Sequence, residues 1–222
     1  MKVNRRKRKM KKKNDIKNAV VINGKVTEIS EEQAKSIIDG LAVPAETAGK
    51  KPLSEIKAGD TFKIGEREFI VLEQIGADTI VLSKDIIEDE VQFGNTPDFV
   101  KSKVKSILDN FAAEIAVKIG ADALIEHTVD QTTLDGMDQY GISKARMSLM
   151  TIDHVRKYAD VLDGHKVDKW YWLVTPWSTP DRGWHTTMCV VAPSGYVGND
   201  ISSCYDYGVR PFCILKSDIF VS

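Results

Sequence analysis

Residues 99–119 carry the most regular apolar pattern in the chain. Seven apolar residues recur three or four positions apart: Val100, Val104, Ile107, Leu108, Phe111, Ile115 and Ile119. This spacing places them on one side of a helix and predicts a helix over the whole segment. Segments with strand patterns lie before and after it, so the sequence predicts an α+β domain.

Strand and capping signals surround this helix. Residues 61–64, 68–74 and 79–84 alternate apolar and polar side chains between glycine-containing turns, which predicts a meander of three short strands. Residues 145–150 predict a further strand. Thr151 follows as the N-cap of a helix that runs to about Leu162. The remainder is strand-like and rich in loops.

The charge is distributed very unevenly. The net charge of the whole chain is −1, but residues 1–17 hold ten Lys and Arg residues and one acid. A segment that repels itself and has little apolar surface to bury is expected to be disordered. It would bind nucleic acid through Arg5, Arg6, Lys7, Arg8, Lys9, Lys11, Lys12 and Lys13, or serve as a solvated tail that improves solubility or folds back on the acidic body.

A small arm follows the tail. Asn23-Gly24 lies between apolar residues and predicts a two-residue hairpin turn. Ser30 and Gln33 match a capping box that begins a helix over about 31–39, and residues 41–52 read as a linker. The predicted organisation is a disordered basic tail (1–18), a hairpin, helix and linker arm (19–51) and a main domain (52–222).

Composition excludes several classes of protein. An apolar share of 42% and a charged share of 28% are typical of a soluble globular chain. The three cysteines show no CxxC spacing, and His127, His154 and His165 have no partner at metal-ligand spacing, so no metal or other cofactor is expected. No apolar run is long enough to span a membrane. The absence of a signal-peptide pattern favours a cytoplasmic or virion-associated location.

The C-terminal quarter concentrates the aromatic residues. All four tryptophans lie between Trp170 and Trp184, and all three cysteines lie between Cys189 and Cys213. We expect Trp170 and Trp172 to face the core from one strand, and Trp184 to lie in a loop. Arg210 stands between apolar residues in GVRPF, which predicts a structural clamp on carboxylates or carbonyls.

The order of these motifs resembles an uncharacterised domain family of bacteria and their phages. Members end in W-W-L-R-S-P, a D/S-G turn and G-V-R-P. The matching residues here are Tyr171, Trp172, Leu173, Thr175, Pro176, Ser194, Gly195, Gly208, Val209, Arg210 and Pro211. Two features depart from the family: Val174 stands where arginine is frequent, and the segment between Phe93 and Ala145 is shortened. The family is related to the formylglycine-generating-enzyme fold, so the resemblance implies a C-type-lectin-like domain over 52–222.

The resemblance also guides the functional expectation. Formylglycine-generating enzymes use paired cysteines with copper, and Cys189, Cys204 and Cys213 do not follow that pattern, so no enzymatic activity is expected. Calcium-dependent sugar binding has only Gly198-Asn199-Asp200 in its favour, and such a motif is commonly a turn. Retroelement-diversified variable proteins use the same fold and display variable C-terminal residues, which the stretch 177–207 resembles.

The sequence therefore predicts a non-enzymatic domain that binds a protein or glycan surface through its C-terminal loops. The expected ligand-binding residues are Trp177, Asp181, Arg182, Trp184, His185, Tyr196, Asn199, Asp200, Ser202, Tyr205 and Asp206. Tyr, Trp, Arg and Asn are frequent in such surfaces because rigid aromatic rings contribute contact area at low entropic cost. The alternative is an intracellular, phage-encoded, nucleic-acid-associated protein that uses the basic tail.

Overall fold

The computed structural model describes residues 19–22, 25–28, 49–183 and 186–222, which fall into two units divided between Ala48 and Gly49. In the first unit, β1 (Ala19–Ile22) pairs antiparallel with β2 (Lys25–Glu28), and Ile22 lies opposite Lys25. This register is that of a two-residue loop and confirms the predicted hairpin. The basic tail and the predicted helix over 31–39 lie outside the described residues.

The second unit, residues 49–222, contains short strands and three α-helices. Its described strands are β3 (Lys51–Pro52), β4 (Thr61–Ile64), β5 (Arg67–Ile75), β6 (Asp78–Ser83), β7 (Leu124–Ile125), β8 (His127–Asp130), β9 (Ile142–Ala145), β10 (Met147–Ser148), β11 (Tyr171–Pro176), β12 (Thr187–Val191), β13 (Val197–Ile201), β14 (Phe212–Lys216) and β15 (Phe220–Val221). Its helices are α1 (Lys103–Ile119), α2 (Ile152–Lys157) and α3 (Ala159–Asp163). The unit is therefore α+β, as predicted, and mostly sheet.

A six-stranded antiparallel sheet forms the centre of the domain. Its order is β10-β14-β6-β5-β4, and β7 pairs with the same edge of β14 as β10. The meander β4–β5–β6 confirms the predicted strands to within one or two residues. Strand β5 is buried on both faces, with Phe69 and Val71 in one apolar cluster and Ile70 and Leu72 in the other.

Helix α1 covers one face of this sheet. Its N-cap Ser102 accepts a 3.0 Å bond from the Lys105 amide, and Gly120 ends the helix at φ 90°. Val104, Leu108, Phe111 and Ile115 are buried there, as their spacing predicts. Val100 is instead 58% exposed, because residues Phe99–Lys101 form a 3-10 turn that does not continue the helical stripe.

Two short helices cover the other face. The Thr151 hydroxyl accepts from the His154 amide, and His154 Nδ1 accepts from the Thr151 amide, which confirms the predicted cap. The single predicted helix is interrupted at Tyr158, whose side chain enters the core and donates a 2.7 Å bond to Glu73 Oε2. The predicted strand 145–150 is also interrupted, because β9 ends at Ala145 and β10 begins at Met147.

A second sheet, β11-β12-β13, carries the tryptophan-rich segment. Trp172 is fully buried in β11 and donates a 2.7 Å bond from Nε1 to the Val91 carbonyl, as a core residue would. The prediction for Trp170 was wrong: it precedes β11 and is 37% exposed. Because Trp170 lies before the first residue of β11, its ring does not point into the core as the ring of Trp172 does.

The two ends of the domain pair with each other. Lys51 lies opposite Val221, and Pro52 lies opposite Phe220, in the sheet β3-β15. Lys51 was predicted to belong to the linker, and Pro52 was predicted to lie at the boundary between the linker and the main domain. The domain instead begins near Gly49, because the ladder needs a partner strand that only the distant C-terminus supplies.

Gly208 allows the closest approach between two segments of the domain. A Cβ at this position would lie 2.5 Å from Ile86 Cγ2 and 2.8 Å from its Cδ1. We therefore expect Gly208→Ala to lower the free energy of unfolding by about 1–3 kcal/mol through overpacking. Ile86→Ala removes the clashing atoms, so Gly208→Ala should lower the free energy of unfolding by less in the Ile86→Ala chain than in the unchanged chain.

Urea denaturation of the four chains of this double-mutant cycle measures the coupling. Ile86→Ala alone controls for the loss of its own packing. Strictly additive effects of the two substitutions would contradict steric contact at this position.

Candidate functional site

The expected ligand-binding residues lie at two ends of the small sheet. The β11–β12 loop (177–186) and the segment after β13 are neighbours, since the Ser202 amide donates to the Thr186 carbonyl. The β12–β13 turn, with Tyr196, lies at the opposite end, because the strands are antiparallel and Val191 pairs with Val197. The structure therefore does not bring the predicted residues together on one surface.

A second loop supports the β11–β12 loop. Asp135, between β8 and β9, accepts bonds at Oδ2 from Ser178 Oγ (2.7 Å) and Arg182 Nη1 (2.9 Å), and at Oδ1 from Thr133 Oγ1 (2.6 Å). Gln139 Nε2 donates to Asp181 Oδ2. Asp181 and Arg182 are exposed, but their charged groups are engaged by the chain itself rather than free for a ligand.

These bonds change the acidity of Asp135. The hydroxyls of Thr133 and Ser178, then the Arg182 guanidinium, lower the pKa of Asp135 to about 2. The carboxylate is thus charged at any ordinary pH, and it connects residues more than forty positions apart. Sequence reasoning missed Asp135 because no local pattern indicates contact between two loops so far apart in the chain.

The remaining residues at this end differ in exposure. Trp177 is half-buried and packs against the core. Ser202 was expected to be exposed, but it is fully buried because its main chain is bonded between Thr186 and Gly94. Tyr205 is exposed, with Lys103 Nζ 5.9 Å from its ring centre, and Asp206 is exposed next to Cys204. Trp184 and His185 lie outside the described residues.

On β13, Asn199 is exposed, whereas Asp200 is half-buried and holds a core residue. Asp200 Oδ2 accepts a 2.7 Å bond from the Tyr207 hydroxyl. Burial, and then this bond, raise the pKa of Tyr207, so the phenol stays protonated and keeps donating. The function of Asp200 within the domain is therefore to orient Tyr207.

Five aromatic residues form a continuous series from the core to the surface. The ring centres are 5.9 Å apart for Phe93 and Trp172, 4.4 Å for Trp172 and Tyr207, 6.1 Å for Tyr207 and Trp170, and 6.4 Å for Trp170 and Tyr196. Exposure rises from zero at Phe93 to 65% at Tyr196. In the surface pair, defined as Trp170 and Tyr196, Trp170 packs edge-on against the buried Tyr207, and Tyr196 packs edge-on against Trp170.

Gly198 lies beneath the surface pair. A Cβ there would be 3.2 Å from Tyr196 Cε1 and 3.4 Å from Trp170 Cζ3. The missing side chain lets both rings lie against the strand. A glycine inside a strand is a signal of such close approach, so this feature was within reach of sequence reasoning.

Burial shifts the pKa values of the three cysteines and of His127. Burial raises the pKa of the Cys189 thiol to about 12, and it also raises the pKa values of the Cys213 and Cys204 thiols. Thiol chemistry needs the opposite shift. His127 is buried, and burial lowers its pKa to about 4. Among the described residues, no group of three His, Cys, Asp or Glu side chains could hold a metal ion.

No protein-family model, curated protein or solved structure gives a significant match to this chain. In the part of the chain that the structure describes, none of the helices combines the length and hydropathy needed to cross a membrane.

The network around Asp135 leads to a testable consequence. We expect Asp135→Asn to speed amide hydrogen exchange several-fold in residues 131–141 and 177–183, because three bonds to a carboxylate are weakened. The pKa of Asp135 is lower in the folded chain than in the unfolded chain, so the ionised carboxylate stabilises the fold at pH values above the unfolded pKa. That stabilisation is lost as the pH falls toward 2. The difference between the two chains should therefore shrink between pH 5 and pH 2.

Asp138→Asn is the matched control, since this exposed carboxyl lies in the same loop. Equal exchange in all three chains would show that Asp135 does not hold the two loops together.

Proposed function

We propose that this protein is a ligand-binding domain of C-type-lectin-like architecture that presents side chains of its C-terminal segment to a protein or glycan partner. The observation that carries the proposal is the surface pair, Trp170 and Tyr196, which is exposed yet attached to buried rings. Paired terminal strands and a small sheet that carries long loops support the architecture.

An anchored aromatic pair suits binding for a physical reason. Binding costs less when the contacting side chains are already ordered. The ring of Trp170 lies between Tyr196 and Tyr207, and Tyr207 is held by Asp200. Aromatic rings also expose both an apolar face and a polar edge, which suits a glycan ring as well as a protein side chain.

The exposed residues of the stretch 177–207 support the proposal that this is a retroelement-diversified variable protein. Tyr196, Asn199, Tyr205 and Asp206 are exposed around buried strands, so substitutions there would change the surface and leave the core intact. Ser202 is buried, and Asp200 accepts the hydrogen bond from Tyr207, so neither residue belongs to this set of variable positions. We propose no enzymatic activity.

Truncation of the surface pair tests the proposal. On a glycan microarray, Tyr196→Ala should weaken the signals of the full chain by about tenfold, the loss typical of a truncated interface aromatic. Trp170→Ala should have at least the same effect, because it removes the support of Tyr196. Phe220→Ala is the control, since this residue is an exposed aromatic outside both the aromatic series and the C-terminal loops.

The outcome also separates the two kinds of partner. Signals that are insensitive to Tyr196→Ala would contradict the surface pair as the binding site. If no glycan gives a signal, a photo-crosslinking amino acid at position 196 should capture a protein partner from the protein's source cells, and a crosslinker at position 220, which is exposed outside the C-terminal loops, should not capture the same partner.

The basic tail supports a second candidate function, association with nucleic acid. Ten of the first seventeen residues are Lys or Arg, and release of counterions would supply affinity without sequence specificity. We expect the full chain to bind DNA or RNA with an affinity that falls about 1,000-fold between about 50 and about 200 mM salt, and a chain of residues 18–222 not to bind. Fluorescence anisotropy measures both. Equal binding by the two chains would exclude the tail as the contact.

A further inference from the structure

A cavity of about 200 Å³ lies on the side of the domain that carries α2 and α3. Its walls are mainly aliphatic and include Val155, Leu162, Val167 and Val191. The β12–β13 turn closes it with Ser194 and Gly195. A water occupies about 30 Å³ in the liquid, so the cavity has room for a ligand of about seven non-hydrogen atoms.

A buried cation lines this cavity. Arg210 is 2% exposed. It donates to three main-chain carbonyls, from Nε to Ser83 (3.0 Å) and from Nη2 to Lys84 (3.1 Å) and His165 (2.9 Å), and it is also bonded to the Tyr171 side chain. These bonds confirm the predicted clamp. In the described part of the chain, no carboxylate accepts a bond from Arg210, and Nη1 bonds to no carbonyl.

The charges around the cavity leave this guanidinium uncompensated. Lys166 and Asp163, which also line the cavity, neutralise each other at 2.5 Å. Asp85 acts on Arg210 through space, but its side chain is exposed and screened by water. Burial lowers the pKa of Arg210, yet an arginine remains protonated in proteins. The cavity therefore carries a net positive charge in an aliphatic surrounding.

The ring of Tyr171 lies beside Arg210 in the wall of the cavity. The guanidinium carbon of Arg210 lies 5.3 Å from the centre of this ring, and the tyrosine is buried and lines the same cavity. The guanidinium is thus held in place by three carbonyls and by Tyr171 at the wall of the cavity. Such a group binds carboxylates with short, charge-assisted bonds.

We propose that this cavity binds a small aliphatic carboxylate, with the carboxylate on Arg210 and the hydrocarbon part against Val155, Leu162 and Val191. The anion would supply the charge partner that the chain itself does not provide. The aliphatic walls exclude strongly hydrated anions that cannot bury a hydrocarbon portion.

Sodium 3-methylbutanoate, which has seven non-hydrogen atoms in its anion, is the probe. Titration of the full chain, followed by NMR of backbone amides at constant ionic strength, should give saturable shifts in residues 155–167 and 191–195. The uncharged isostere 3-methylbutanamide should bind at least about tenfold more weakly, as expected when a charged hydrogen bond is lost. Equal affinities of the two compounds, or no saturable shift in the millimolar range, would overturn the proposal.

A cavity-filling substitution locates the site without touching the clamp. Ala159 is an exposed residue of α3 that lines the cavity, so Ala159→Trp should weaken binding of 3-methylbutanoate at least about tenfold by occupying the space. Ala113→Trp, at an exposed alanine of α1 outside this cavity, is the matched control and should bind as the unchanged chain does. Unaltered binding by Ala159→Trp would place the probe elsewhere and overturn the assignment.

Discussion

The segment from Gly208 to Lys216 holds the two sheets of the domain together. Gly208 pairs in parallel with Tyr171 at the start of the small sheet, and four residues later the chain becomes β14. That strand pairs with β6 on one side and with β7 and β10 on the other. Between these pairings, Arg210 binds three carbonyls from two other segments. Main-chain bonds thus fix the relative position of the sheets.

This segment and Tyr207, the residue just before it, contribute to both of the proposed sites. Tyr207 joins the aromatic series that supports Trp170 and Tyr196, and Arg210 lines the cavity beside α3. Successive residues of an extended chain point to opposite sides, so residues an odd number of positions apart serve different sides of the domain. Tyr207 packs with one apolar cluster, whereas the cavity borders the other through Tyr171 and Val191. The surface pair and the cavity are therefore separate but share one structural origin.

Local patterns predicted the elements that depend on short-range interactions. The period of residues 99–119 produced α1, the turns at Gly65 and Gly76 produced the meander, and Thr151 began α2. Arg210 was also predicted correctly, because a charge surrounded by apolar residues must find polar partners inside. The candidate site was predicted less well. Of the expected residues, Asp181, Arg182, Tyr196, Asn199, Tyr205 and Asp206 are exposed, but they do not form one surface. Ser202 is buried and belongs to no surface.

The sequence by itself determined the α+β class, the helix positions, the apolar faces and the uneven charge, since these depend on the order of neighbouring residues. The tertiary structure decided the exposure of Trp170, the engagement of Arg182 by Asp135, and the pairing of Lys51 and Pro52 with the C-terminal strand. Each of these depends on a contact between residues far apart in the chain. Such contacts are chosen by how the whole core packs, and no local pattern of one sequence records them.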